Sequence, residues 1–285
     1  MSYLMLVNDS DRLSLGGIAS DGTGIEVGPG AGGLGLPPVA TQWVEGAGDG
    51  ALYRGRRILP RDIDLPLQIL GQSPEDLRSW LRVLERMLAG PAELRWMLPS
   101  GEYWKVDVVH TGGGDWATGQ DTTGRDWLHT MITLRAGEPY WTYSRTSHVV
   151  IKAMGGRGLL GGSLVSLQVS SSQAQGEVAL VNDGSAPSWP VWEVTGPASN
   201  LSVSLEGKTG FDWNGTLGEG ERLVIDAKAK TVTDSSGASR YASMSFGPDL
   251  FSLPPGRSHI TIGLDNVTTD SLVVCKWRKC AWSVL

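Results

Sequence analysis

The sequence predicts a mainly β protein of two domains, the first carrying one α-helix and the second a β-sandwich. Three observations predict it. The 285 residues include 39 Gly and 12 Trp against only 3 Phe; so much Gly favours turns and short strands, and Trp supplies large apolar bodies for strands and interfaces. Segments of period-two alternation recur along the whole chain. Only one stretch has helical periodicity, and the texture changes to short strands and turns alone near residues 142–150, which sets domains at 1–147 and 148–285.

Residues 3–70 read as short strands. Gly28 to Pro38 is too rich in Gly and Pro for regular structure and is expected to be a mobile loop. Strands follow at Val39–Glu45, Ala51–Leu59 and Asp62–Gln68. In the last, Ile63, Leu65, Leu67 and Ile69 alternate around Pro66, which points to an edge strand or a bulge. The helix, near 74–89, opens with Ser73 as N-cap, Pro74 at the first helical position and acidic Asp76 at the third. Leu77, Trp80, Leu81, Leu84 and Leu88 fall on one face, and Gly90-Pro91 stops the run.

Glu93–Leu98 and Tyr103–Val109 form a predicted hairpin around Pro99-Ser100-Gly101. Thr111–Thr123 is a second Gly/Asp loop, and Trp127–Leu134 alternates as a strand. Beyond a flexible stretch at Arg157–Gly162, strands are predicted at Gly176–Asn182, Val191–Thr195, Ser202–Leu205, Glu221–Asp226, Thr231–Asp234, Ser258–Gly263 and Ser271–Trp277. Their regular spacing is that of a β-sandwich.

The formal net charge is −6, with 13 basic against 18 acidic residues in 1–147 and 11 against 12 in 148–285. Neither half has the basic excess of a general nucleic-acid binder. No apolar run is long enough to cross a bilayer and the N-terminus has no basic region before it, so neither membrane span nor signal peptide is expected. On one strand, Cys275 and Cys280 would face opposite ways about 16 Å apart, which predicts two free thiols.

No constellation for chemistry is found. Gly28, Gly30 and Gly33 fit G-x-G-x-x-G, but Leu36-Pro37-Pro38 forbids the helix that a dinucleotide site requires. Gly207-Lys208-Thr209 lacks the phosphate loop's first glycine, since position 202 is Ser. His110, His129, His148 and His259 are scattered, no metal-ligand spacing occurs and no cofactor is predicted. A hydrolase using a pair of distant carboxylates is the third reading, with no pair to name.

Three stretches carry a resemblance: Val181–Pro197 (VNDGSAPSWPVWEVTGP), Asn214–Asp226 (NGTLGEGERLVID) and Phe251–Ile262 (FSLPPGRSHITI). The first contains an Asn-Asp-Gly turn, the second an Asn-Gly hairpin signal before an alternating strand, and the third a stiff Pro-Pro-Gly turn. Together and in this order they resemble the siphovirus distal tail protein family. The N-terminal half, with its loops, one helix and closing Glu138-Pro139-Tyr140-Trp141, is similar to that family's ring-forming domain.

The resemblance implies a virion protein, assembled in the host cytoplasm and with no enzymatic activity. It would form a homo-hexameric ring at the distal end of the tail, joining the tail-tube protein to tip or baseplate hub proteins. DNA would be passing cargo only. The second domain would be galectin-like, or like a carbohydrate-binding module, and would dock a receptor-binding protein or host glycan. A ring interface is heterologous and draws on aromatic and Arg residues. Trp43, Arg54, Arg56, Arg57 and Trp116 are the candidates, with Trp104 assigned to the core. The loops at 28–38 and 111–124 are expected to order only on assembly. The rival reading is a carbohydrate-binding module for the host surface, in which Trp192, Trp213 or Trp277 would stack on a sugar.

Overall fold

The computed structural model describes residues 2–154, 164–170 and 173–284. The Gly-rich stretch 157–162 lies outside them. The chain divides into two compact units, 1–144 with 281–285, and 145–280. The last five residues thus leave the C-terminal domain expected to run to 285 and rejoin the first unit, where the Trp282 carbonyl accepts from Arg61.

The first unit contains β1 (Tyr3–Val7), β2 (Arg12–Ser14), β3 (Gly16–Ile18), β4 (Gly24–Val27), β5 (Val39–Glu45), β6 (Ala51–Ile58), β7 (Arg61–Leu70), α1 (Pro74–Leu88), β8 (Ala92–Met97), β9 (Tyr103–Gly113), β10 (Trp127–Ala136) and β11 (Trp141–Tyr143). Its sheet runs β2-β1-β8-β9-β10-β7-β4-β3, and β11 pairs with β9. Leu15 joins the two ends: its N–H donates to the Leu4 carbonyl at 2.9 Å and its carbonyl accepts from Val27 at 3.3 Å. The sheet therefore curls round one core.

Helix α1 starts where the capping residues placed it. The Ser73 side chain accepts from the Asp76 N–H at 3.2 Å, and the Asp76 carboxylate accepts from the Gln72 N–H at 3.0 Å. Leu77, Leu84 and Met87 are buried, with Trp80, Leu81 and Leu88 packed beside them. Met87 joins the stripe three residues after Leu84, on the same face.

Strand β7 is interior, between β10 and β4, with no register shift at Pro66. This corrects the edge or bulge expected there. The Pro66 carbonyl faces β4 and accepts from Gly28 at 2.8 Å, just past the last β4 residue, Val27. The missing N–H points the same way, to a place where no strand asks for it.

The inward positions of β7 are Ile63, Leu65, Leu67, Ile69 and, in phase with them, Arg61. Arg61 is 1 % exposed. Its Nε and Nη2 donate to the Pro139 carbonyl, its Nη1 to Gly33 and Gly35 at 2.9 Å each, and its Nη2 also to Trp282 at 2.8 Å. All five guanidinium N–H groups thus have acceptors. The cation lies 5.7 Å from the Trp141 ring centroid. Burial pushes its pKa down to about 10, which still leaves it charged at neutral pH. The Gly/Pro loop expected to be mobile is therefore tacked to β7. At Gly33, with φ +77°, an added Cβ would lie 2.1 Å from the Asp62 carbonyl oxygen.

The second unit contains β12 (Ser147–Met154), β13 (Leu164–Ser170), β14 (Gln173–Asn182), β15 (Val191–Thr195), β16 (Ala198–Leu205), β17 (Gly210–Leu217), β18 (Arg222–Asp226), β19 (Thr231–Asp234), β20 (Gly256–Asp265) and β21 (Leu272–Trp277). The order is β17-β16-β20-β14-β13-β12-β21-β15-β18-β19, around a core that includes Trp192, Trp213, Phe211 and Phe251. Asn214-Gly215 is not the hairpin turn its dipeptide suggests. It lies inside β17, whose Phe211, Trp213 and Leu217 point inward, and a Cβ at Gly215 would meet the Trp213 ring at 2.2 Å. Cys275 and Cys280 are both buried, and they are not joined in a disulfide.

The three resemblance-bearing blocks meet in space. Buried Asn182 donates to the Ala186 and Leu253 carbonyls at 2.9 and 3.0 Å, and Ser188 and Leu253 exchange backbone hydrogen bonds. Strand β15 of the first block pairs with β18 of the second.

Replacing Arg61 by Ala would leave four carbonyls without their donor in a closed core. A loss of about 3–5 kcal/mol is expected, read as a lower denaturation midpoint; an unchanged midpoint contradicts this role. On β8, burial would raise the Glu93 carboxyl, but Lys105 and Arg95 outweigh it and hold the pKa below the ordinary 4.5. The stability Glu93 contributes is present above about pH 4.5 and is lost as pH falls through the folded value. Glu93→Gln should flatten that part of the acid-denaturation profile.

Candidate assembly interface

Among the described residues no group of three or more His, Cys, Asp or Glu is placed to hold a metal ion, and no helix is long and apolar enough to cross a membrane. The features that stand out are apolar surface.

Among the described residues the hairpin β5–β6 pairs only with itself. Every residue of β5 is exposed, as are all of β6 but Gly55 and Ile58. Its apolar side chains have no core to enter: Trp43 is 56 % and Leu52 58 % exposed, and Val44 and Tyr53 are exposed beside them. Trp43 and Tyr53 face each other across the strands, edge to face at 5.2 Å. The register shifts between Gln42 and Trp43, which leaves Arg54 as the extra residue beside this pair. Trp43 Nε1 donates to Thr41 Oγ1 at 3.1 Å. Two strands alone are marginal in water, so the arm depends on its root. There Leu59 donates to the Pro38 carbonyl at 2.9 Å, Gly35 is held by Arg61, and Arg56 lies 5.6 Å from the Trp282 ring centroid.

Of the sequence candidates, Trp43, Arg54, Arg56 and Arg57 thus share one arm. Arg56 is occupied at its root; Arg54 and Arg57 make no ion pair among the described residues. Trp116 sits apart, 44 % exposed, in the loop after β9. That loop, expected to order only on assembly, holds itself: the Asp121 carboxylate accepts from Ala117 at 2.8 Å, and the Asp121 carbonyl from His129 at 2.8 Å. Trp104 is half-buried against the core, its ring 4.9 Å from that of Tyr143.

Beside Trp116 is an apolar pocket of about 290 Å³, between the C-terminal half of α1 and strands β9 and β10. Leu81, Leu84, Leu88, Leu128 and Ile132 line it, with Glu85, Thr130 and His110 as polar members. His110 Nε2 is buried and has no hydrogen-bond partner among the described residues.

The sugar-stacking candidates fail. Trp192, Trp213 and Trp277 are all buried at inward positions of β15, β17 and β21, so none presents a ring face to a glycan. In this unit the exposed aromatics are Tyr241 and Phe246, in a loop that no periodic pattern marks. Sequence reasoning also missed Arg61, although its phase with Ile63 and Leu65 was a usable signal.

Residues 183–279 match the sequence model of the siphovirus-type tail component, C-terminal domain. The blocks that carry the resemblance fall inside this span except for Val181 and Asn182. The fold is similar to that of the SPP1 Dit (gp 19.1) protein, described as a paradigm of the hub adsorption apparatus in phages infecting Gram-positive hosts. The TM-score is 0.65 and identity 13%, over 98% of this chain and 99% of that one. It is also similar to chains in the phage P2 baseplate in its activated conformation with Ca (TM-score 0.56, 11% identity, all of both chains) and with Sr (0.53, 11%, 97% and 98%). No curated protein matches the sequence.

Because the arm's apolar side chains enter no core, Trp43→Ser with Leu52→Ser should change unfolding stability by no more than about 0.5 kcal/mol. Trp213→Ala should cost about 3–5 kcal/mol. Equal losses in the two variants would show that the arm is part of the folding core.

Proposed function

We propose that this chain is a structural hub component of a siphovirus tail. It forms a six-membered ring at the distal end, joins the tail tube to the tip or baseplate proteins and leaves a passage for DNA. One observation carries the reading: 98% of the chain is similar in fold to the SPP1 Dit protein, while residues 183–279 match a siphovirus tail-component domain. Fold alone does not assign function; here it is joined by a match of the sequence itself.

The surface supports the same reading. A ring needs two different patches on each subunit. The first unit offers an apolar, arginine-bearing arm in one place and an apolar pocket in another. The acidic excess of residues 1–147 suits a passage that should not hold phosphates.

Light scattering joined to negative-stain imaging of the purified chain checks this. Six-fold rings with a central opening are expected, alone or on addition of tail tubes. Closed assemblies of another symmetry under both conditions, or a chain that stays monomeric and never joins tails, would overturn it.

A further inference from the structure

In the second unit one aromatic ring is held out of the core by the backbone itself. Of the 3 Phe residues in the chain, Phe211 and Phe251 lie in the core, whereas Phe246 is fully exposed. We infer that Phe246, with Asp212 and Asn214 of β17 beside it, is a binding platform for a neutral pyranose sugar of a polysaccharide.

The loop that carries Phe246 is pinned to β17 on both sides of the ring. Met244 forms a bridge with Trp213 and packs against the core. The Ser245 N–H donates to the Asp212 carbonyl at 2.9 Å, and the Asp249 N–H to the Gly210 carbonyl at 3.0 Å. Between these bonds the loop takes four steps, from Ser245 to Asp249, where β17 takes two, from Asp212 to Gly210. The surplus is thrown outward as Phe246-Gly247-Pro248, with Gly247 at φ +70°. Side chains fasten the same two points: Asn214 Nδ2 donates to Ser245 Oγ at 3.0 Å, and Thr209 Oγ1 to the Asp249 carboxylate at 2.9 Å. Single exposed apolar residues are ordinary on a surface. A fully exposed ring between two fastened points is different, because its face stays presented to solvent.

The surroundings of the ring set its ligand. Along β17 Asp212 and Asn214 face outward, between the inward Phe211 and Trp213, and stand about 7 Å apart. The Asp212 carboxylate has no side-chain partner among the described residues and only accepts hydrogen bonds. Asn214 keeps its oxygen and its second N–H. A protein partner would need an apolar centre within roughly 800 Å² of contact, but polar Ser245, Asp212 and Asn214 adjoin this ring. A pyranose fits both halves of the site. Its C–H face is drawn to the negative face of the aromatic ring, and its hydroxyls donate to Asp212 and exchange bonds with Asn214. The carboxylates of Asp212 and Asp249 disfavour an acidic sugar. The platform lies within one copy of the second unit and does not rest on the ring reading above.

Saturation-transfer NMR on the full chain tests this, with the methyl glycosides of glucose, galactose, mannose and N-acetylglucosamine as probes. Transfer to the ring C–H protons of at least one of them is expected. Phe246→Ala should weaken that binding about tenfold, Phe246→Trp should preserve it and Asp212→Ala should weaken it. Both side chains are exposed, so these variants should keep the denaturation midpoint of the natural chain. No transfer to any of the four probes, binding unchanged by Phe246→Ala, or equal binding of the acidic methyl glucuronide overturns the site. Six-fold rings without transfer leave the ring reading standing, and transfer in a chain that never forms rings leaves the sugar platform standing.

Discussion

The first unit depends on a buried cation whose partners are all carbonyls. Arg61 gathers Gly33 and Gly35 from the loop before the arm, Pro139 from the segment after β10 and Trp282 from the end of the chain. These segments are far apart in sequence, and none has a regular strand to hold it at those residues. A guanidinium can hold them because its donors lie in a fixed planar fork. A lysine at the same position would offer three donors from a single nitrogen and could not reach all four. The desolvation of the charge is offset by complete hydrogen bonding and by the Trp141 ring beside it.

The position of Arg61 in the chain also matters. The arm leaves after Gly35 and returns at Arg61, so the residue that ends the arm binds the residues that begin it. A hairpin with no core of its own thereby inherits order from the sheet at its base. The same cation holds the terminal return, and Arg56 covers the Trp282 ring from the arm side. The loop, the arm and the chain end are therefore one mechanical unit.

How much of this was legible follows from what sequence patterns measure. Alternation gave β7, β10, β15 and β20, because a half-buried strand must repeat every two residues. The cap at Ser73 gave the start of α1, because backbone donors there need an acceptor. Patterns fail where a residue's local preference is overruled by its neighbours in space. Pro66 is tolerated within the sheet because β4 stops at Val27, and Gly215 serves the Trp213 ring and not a turn. The burial of Trp192, Trp213 and Trp277 against the exposure of Trp43 was open for a related reason. β5 carries Val39, Trp43 and Val44 as a core strand would, but nothing in the sequence states that no sheet lies against it.

That last difference bears on what the arm costs the chain. An unpaired hairpin displaying Trp43, Val44, Leu52 and Tyr53 costs a lone molecule solubility and gives it no stability. The second unit shows that this chain can bury its Trp residues where they serve the core. The same pattern on an arm held only at its root places apolar area where it can be buried by another molecule. Because Arg61 already orders the root, any partner of the arm would have to restrict only its outer part, and less of the contact energy would be lost to ordering. A mobile arm would bind more weakly with the same contacts. The buried cation in the fold thus fixes the base from which the exposed indole of the arm is displayed.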